Sequence, residues 1–283
     1  MRVARVAAQA KINLALRVLQ RNQSGYHDLV TSFRRIDLAD DVVVRVGGSV
    51  RALDCAGPKM PASGLGPAEK NLAYRAAVEF ANRKGWPHGF SIDLTKNIPV
   101  GGGLGGGSAD AGAVLRALNA LAPEPMTAEE LLNVAAGLGS DVPFLALDAV
   151  SARGHGRGTE LTDLEATAAP ENLVIVVPPF SVATADAYRW LDDGRDRRGS
   201  NSTAHDRDGN DFEDPVELRY PVLRDIREKL RASGARLARL AGSGSCVFGL
   251  FGDSYPASLD FGIEAEIIRT RTSARVVQVE VLE

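Results

Sequence analysis

Pro99-Val100-Gly101-Gly102-Gly103-Leu104-Gly105-Gly106-Gly107-Ser108-Ala109-Asp110 holds six glycines in the seven positions 101–107. Upstream, Phe90, Ile92 and Leu94 alternate with Ser91, Asp93 and Thr95, the period of a strand. Downstream, Ala111, Val114, Leu115, Leu118 and Leu121 recur at helical spacing, and Ser108 is expected to cap that helix. Strand, glycine loop, helix is an anion cradle. Glycine lets backbone come close to a guest, consecutive N–H groups form a nest, and the helix N-terminus adds partial positive charge. A flexible linker is the competing reading, but linkers carry Ser and Pro between domains. This run is wedged between two apolar elements, so a phosphate is the expected guest.

The whole chain narrows the class. Its 283 residues suffice for one large domain or two ordinary ones. With 45 % hydrophobic and 24 % charged residues it has the composition of a soluble globular protein. A net charge of -3 gives no general argument for nucleic acid or an anionic membrane as partner. Two cysteines, Cys55 and Cys246, make neither a disulfide framework nor a metal site. Residues 1–6 lack a signal core, and no run approaches the ~18 apolar residues of a membrane span. The cytoplasm is the expected compartment.

Outward from the loop, β structure is expected over 3–19. Ile12, Leu14, Leu16 and Val18 point one way, and Lys11, Asn13, Ala15 and Arg17 the other. Gly25-Tyr26-His27-Asp28 reads as a turn whose rings either pack locally or hold a flat ligand. Residues 42–46 and 50–53 read as strands around Gly47-Gly48, and 69–84 as a helix stopped by Gly85, with Asn71 in its first turn. Thr127 and Glu130 form a capping box. Asp141 enters the apolar run 142–147, which is expensive without a cation or donors nearby.

Beyond 160, where a domain boundary is expected, the rhythm changes. Residues 173–177 read as a buried strand, 184–191 as a helix capped by Thr184, and 221–233 as an amphipathic helix. Residues 236–240 and 246–251 read as strands, 256–270 as a helix and 276–281 as a last strand. Residues 192–211 carry one apolar side chain, Ala204, and are expected to be a disordered insertion. Without it the second half spells the split βαβ, ferredoxin-like order.

Three phosphate motifs fail. No Lys follows the glycines, so there is no P-loop. A dinucleotide fold needs a βαβ unit, but a second capped helix follows the loop helix. Asp260-Phe261-Gly262 lacks the other protein-kinase signatures. What remains resembles the GHMP kinases, whose hallmark is a strand, a Pro-x-x-x-Gly-Leu-Gly loop and a helix. Gly242-Ser243-Gly244-Ser245 resembles their C-terminal glycine motif. Gln9-Ala10-Lys11-Ile12-Asn13-Leu14 is similar to their opening, with Gln9 where the family carries proline. Gly25-Tyr26-His27, the doubled triple glycine, residues 139–144 and 210–213 resemble the branch that phosphorylates a cytidine-diphosphate-linked methylerythritol.

The resemblance implies an α+β fold of two domains: an ATP-binding N-terminal one of the ribosomal-protein-S5-domain-2 type (1–160), and a ferredoxin-like one (161–283). It implies an ATP-dependent kinase with Mg²⁺ expected, acting on small molecules as a monomer or homodimer. Asp141 then resembles the catalytic carboxylate and Lys11 its partner. Asn13, Tyr26, His27, Thr184 and Tyr188 resemble substrate contacts. Asn71, Lys96, Pro99, Val100, Gly101, Gly102, Gly103, Leu104, Gly105, Gly106, Gly107, Ser108 and Ala109 resemble the ATP side. A kinase for homoserine or mevalonate, an ATP-dependent decarboxylase of the same fold and a non-catalytic nucleotide-binding module are the alternatives. Gly25-Tyr26-His27 argues against the first, since such substrates offer no base to stack.

Overall fold

The computed structural model describes residues 2–21, 27–198, 209–252, 254–256 and 258–282. Its backbone is a long antiparallel pair, β1 (Arg2–Arg21) and β2 (His27–Val46). β2 pairs antiparallel with β4 (Phe90–Thr95), and β3 (Arg51–Ala56) lies parallel on the far side of β4. The strands around Gly47-Gly48 therefore do not pair with each other. β5 (Ser151–His155) joins the first half of β2, and β6 (Glu160–Glu165) joins β5. A boundary at 160 would cut that last pair. β11 (Glu280–Leu282) also returns to this sheet, on β1, rather than ending the second one.

Four helices cover this sheet: α1 (Leu72–Lys84), α2 (Gly106–Leu121), α3 (Ala128–Leu138) and α4 (Val142–Ala146). Their local signals are those expected of helix ends. Asn71 caps α1 by accepting from the Ala73 amide, one step outside the first turn rather than in it. Thr127 and Glu130 close the capping box of α3.

The second half folds as β7 (Asn172–Val177), α5 (Thr184–Arg198), α6 (Glu213–Glu217), α7 (Pro221–Ala232), β8 (Leu237–Leu240), β9 (Val247–Phe251) and β10 (Glu266–Arg271). Its sheet runs β10-β7-β9-β8, the ferredoxin-like order 4-1-3-2. The helix expected over 256–270 does not form. Gly262 takes φ +68, and β-branched Ile267, Ile268 and Thr270 extend along β7 instead. Nor is all of 192–211 an insertion. α5 continues to Arg198, and Asn210 and Asp211 are tied to β1 through Leu16; 199–208 lie outside the described residues. Asp186 and Ala187 donate to the Ala183 carbonyl, so Thr184 starts α5 without capping it.

Period two on β7 sets where the halves meet. Leu173 and Ile175 pack into the core beneath the first sheet, and Val174 and Val176 into the core around α5–α7. Leu16 and Val18 of β1 belong to that second core, whereas Ile12 belongs to the first. The clean alternation over 11–18 fails because the register slips between Asn13 and Ala15. Gln9, at the family's proline position, is buried inside β1. Its amide donates to Ser273 Oγ at 2.8 Å and its oxygen accepts from the Val277 amide at 2.8 Å, which stitches the C-terminal segment down.

Arg35, fully buried on β2, holds α4 in place. Nε donates to the Ala149 carbonyl at 2.7 Å, and a terminal nitrogen donates to those of Phe144 and Leu147 at 2.9 and 2.7 Å. Its charge lies 5.0 Å from the centre of the Phe144 ring. Burial, with Arg116 adding, pushes the guanidinium down to about 9. Arg35→Met leaves these carbonyls without donors and is expected to cost about 3 kcal/mol or more of unfolding free energy. Urea denaturation measures it, and a change within about 0.5 kcal/mol would show that the carbonyls find other partners.

Candidate active site

The glycine loop is clamped between the two halves. Gly103 takes φ +82, and a Cβ built on it would stand 1.9 Å from the Ala241 carbonyl oxygen, so this contact admits only glycine. The Cys246 amide donates to the Gly102 carbonyl at 3.2 Å, the Lys11 amide to that of Leu104 at 3.0 Å, and Lys11 Nζ to that of Gly103 at 3.1 Å. With these carbonyls turned into the protein, the loop offers a guest its N–H edge. α2 begins at Gly106 after Gly105 in the left-handed region. Ser108 is thus in the first turn, not the N-cap: flexible Gly106 and Gly107 enter the helix before it.

Two cavities share this loop as a wall. The smaller, about 170 Å³, is lined by Leu65, Asn71, Lys96, Pro99, Val100, the six glycines and Asp110. The larger, about 420 Å³, is lined on one side by the loop glycines and Ser108. Lys11, Asn13, Leu16, Asp141, Thr184 and Tyr188 are among the residues facing them. The slip at Asn13/Ala15 turns Leu16 onto the cavity face beside Lys11 and Asn13. Ala109 lines neither cavity. Its methyl group is in the core, and its amide donates to the Gly105 carbonyl.

Behind the smaller cavity lies a buried charge cluster. Lys96 Nζ is bonded to Asp40 Oδ2 and, at 2.5 Å, to Asp110 Oδ2. Asp40 Oδ1 also accepts from the Asn97 and Ile98 amides, fixing the entry to the loop. Burial alone would lower Lys96, but the two carboxylates outweigh it and hold the ammonium above its ordinary range. Burial pushes the Asp110 carboxyl up to about 7 against the pull of Lys96, with Asp40 adding to the push. Asp110 Oδ1 has no partner among the described residues.

In the larger cavity Lys11 Nζ stands 3.2 Å from Asp141 Oδ2, with side-chain exposures of 4 % and 28 %. Lys11 also donates to Asn13 Oδ1 at 2.8 Å, and the Asn13 amide donates to Thr31 Oγ1 at 2.7 Å. Asn13 therefore orients Lys11 in addition to facing the cavity. Asp141 sits at the N-terminus of α4 but makes no capping bond, which leaves its carboxylate to Lys11 and the cavity. Thr184 Oγ1 lies 3.0 Å from Ser243 Oγ. Tyr188 stacks on His27 (centroids 5.2 Å, 23°) and meets Phe212 edge-on. Burial, then Asp141 and Asp192, push the Tyr188 phenol up to about 12. Tyr26 lies outside the described residues.

The sequence reading gives no site role to Asp40, Asp110, Thr31, Ser243 or Asp192, although Asp110 and Ser243 stand inside its two glycine motifs. Asp110 left a signal: a carboxylate on the otherwise apolar run 109–115. Asp40 stands in the pair Asp40-Asp41, and Asp192 at the start of the stretch expected to be an insertion.

Two substitutions test the loop's setting. Gly103→Ala is expected to destabilise by more than about 2 kcal/mol. Gly137→Ala, in α3 with open space around it, should instead stabilise by up to about 1 kcal/mol. Chemical denaturation of both reads the contrast, and equal values would contradict the clamp. The buried charge cluster is tested by a pH dependence. Asp110 titrates near 7 in the fold, against 3.8 for a free side chain. The folded state then takes up this proton more readily than the unfolded one, so the group's penalty vanishes at low pH and grows as pH rises from about 4 to about 7. Asp110→Asn removes that slope, and the variant should gain on the wild type over this window. A constant difference across it would contradict the assignment.

Comparison with known proteins agrees with this arrangement. Residues 71–148 match the model of the GHMP kinases N terminal domain, and 196–260 that of the GHMP kinases C terminal. A 4-diphosphocytidyl-2-C-methyl-D-erythritol kinase of Moorella thermoacetica is 40 % identical over 274 residues, covering 91 % of this chain and 93 % of its own. One from Desulfotalea psychrophila is 37 % identical over 257 residues, covering 86 % and 84 %. A crystal structure of 4-(cytidine 5'-diphospho)-2C-methyl-D-erythritol kinase superposes with a TM-score of 0.74 at 34 % identity, covering 95 % of this chain and 98 % of that one. With its glycine wall, its Lys11–Asp141 pair and these relatives over most of its length, the chain belongs to the 4-diphosphocytidyl-2-C-methyl-D-erythritol kinase family of the GHMP kinases.

Proposed function

We propose that this chain transfers the γ-phosphoryl group of ATP to the 2-hydroxyl of 4-diphosphocytidyl-2-C-methyl-D-erythritol. The products are the 2-phosphate and ADP, in the non-mevalonate route to isoprenoid precursors. The observation that carries the reading is the Lys11–Asp141 pair, 3.2 Å apart across the glycine wall from the smaller cavity. ATP is taken at the smaller cavity beside Asn71 and Lys96, with its phosphates along residues 101–108. The acceptor lies in the larger cavity, its base at Tyr188, His27 and Tyr26 and its polyol near Asn13 and Thr184.

Phosphoryl transfer through a loose transition state asks mainly for positioning and charge stabilisation. The 2-hydroxyl oxygen attacks the γ-phosphorus in line, the bond to the β-phosphate oxygen breaks, and ADP leaves. Asp141 accepts the hydroxyl proton. Lys11 holds Asp141 in place and faces the charge that develops on the transferring group. Ser108 and Asp141 bring side-chain oxygens to the larger cavity from facing sides. They are the residues that would hold a Mg²⁺ ion, which would neutralise phosphate charge there. The same reading places the enzyme in the cytoplasm as a monomer or homodimer without a nucleic-acid partner. Among the described residues no helix is long and apolar enough to cross a membrane.

A coupled ADP assay against this substrate, homoserine and mevalonate tests the assignment. ADP release with the cytidyl substrate alone is expected; carbon dioxide release, or equal turnover of homoserine, would overturn it. In the same assay Asp141→Asn should lower kcat by about 10² or more. Turnover near wild type would remove Asp141 from the chemistry.

A further inference from the structure

Behind the Lys11–Asp141 pair runs a chain of hydrogen bonds that ends in the backbone. Lys11 Nζ donates to Asn13 Oδ1 at 2.8 Å, Asn13 Nδ2 to Thr31 Oγ1 at 2.7 Å, and the Thr31 hydroxyl to the Ala15 carbonyl at 2.9 Å. Lys11, Asn13 and Thr31 are all buried. The strand pairing brings them together. Asn13 stands opposite Phe33 of β2, and Thr31 is two positions from Phe33, on the same face of the sheet. The slip between Asn13 and Ala15 sets Ala15 opposite Ser32, next to Thr31.

The chain has one direction. A carbonyl oxygen only accepts, so the Thr31 proton is committed to Ala15. Oγ1 then has only lone pairs to offer Asn13, and the atom that meets it must be the amide nitrogen. At the other end an ammonium only donates, so it must meet the amide oxygen. Both ends therefore demand the same orientation of a carboxamide that could otherwise flip. With every donor in line, each bond polarises the next. Lys11 is thus anchored from behind, and its other contacts run forward, to the Gly103 carbonyl at 3.1 Å and to Asp141 at 3.2 Å. Without the hydroxyl, the Asn13 amide nitrogen loses its acceptor in a buried place, which costs enough to turn the side chain away. Lys11 would lose its fixed bond on the strand with it.

We propose that Thr31 is a positioning residue for the phosphoryl transfer: its hydroxyl fixes the Asn13 carboxamide, which holds Lys11 in line with Asp141. The proposal rests on the kinase reading and deepens it. Thr31 acts through two other side chains, so its effect belongs in turnover and not in binding of either substrate.

The test measures kcat and both KM values in the wild type, Thr31→Val, Thr31→Ser, Asn13→Ala and the Asn13→Ala/Thr31→Val double variant. Valine keeps the branched shape and removes the hydroxyl. In Thr31→Val kcat should fall about tenfold or more, with KM for ATP and for the cytidyl substrate within about twofold of the wild type. Thr31→Ser, which restores the hydroxyl, should recover most of the loss. Added to Asn13→Ala, Thr31→Val should cost less than about twofold more, because the group it acts through is already gone. A threonine needed only for packing would cost the same in both backgrounds. Neutron diffraction of the wild type reads the chain directly and does not depend on any variant folding. It should place deuterium on Asn13 Nδ2 facing Thr31, and on Thr31 Oγ1 facing Ala15. A wild-type kcat in Thr31→Val, equal losses in both backgrounds, or the Asn13 oxygen facing Thr31 overturns this proposal and leaves the kinase reading standing. A wild type inert toward the cytidyl substrate overturns the kinase reading and this proposal with it.

Discussion

One buried ammonium organises the site. Taking Lys11 out of water costs several kcal/mol unless its three N–H groups find acceptors. Each acceptor comes from a different part of the chain: Asn13 from the same strand, the Gly103 carbonyl from the loop, and Asp141 from the start of α4. Satisfying Lys11 therefore requires strand, loop and helix to be assembled together. The same requirement aims Asp141 into the cavity, because α4 gives the carboxylate no capping bond to hold it elsewhere. Arg35, at the other end of α4, gathers the carbonyls that end that helix. Two buried cations thus fix a five-residue helix whose only polar duty is to present Asp141.

The glycine loop lines two chambers and is clamped between the two halves of the chain. Gly103 is pressed against Ala241, and Cys246 bonds back to Gly102. The second half of the chain supplies Thr184, Tyr188 and Ser243 to the larger chamber. Neither half forms the larger chamber alone. For a reaction with a loose transition state geometry carries the main burden, and Gly101, Gly103 and Gly105 to Gly107 line both chambers, a shared edge along which a donor and an acceptor would meet.

Where local chemistry decides structure, the sequence was legible. The strand before the loop, the capping box at Thr127 and the stop at Gly85 all depend on near neighbours. Lys11 and Asp141 could be paired only through the family resemblance, since 130 positions separate them in the numbering. What could not be read depends on tertiary contacts. The Asn13/Ala15 slip, which carries Leu16 to the cavity, comes from pairing with β2. The extended course of 266–271 comes from the open edge of β7, which overrides a helical period. The Lys96–Asp40–Asp110 cluster joins residues that look like ordinary polar positions one at a time. Polar composition also misled at 192–198, where a helix carries Asp192 and Arg195 back against β1 and β2.

A crystal structure with ADP and the cytidyl substrate bound would show whether Asp141 meets the acceptor hydroxyl. The 2-hydroxyl oxygen is expected within about 3 Å of the Asp141 carboxylate, with Lys11 Nζ still bonded to both Asp141 and the Gly103 carbonyl. A hydroxyl held on another residue, or a Lys11 turned away from Asp141 to the substrate side, would contradict it.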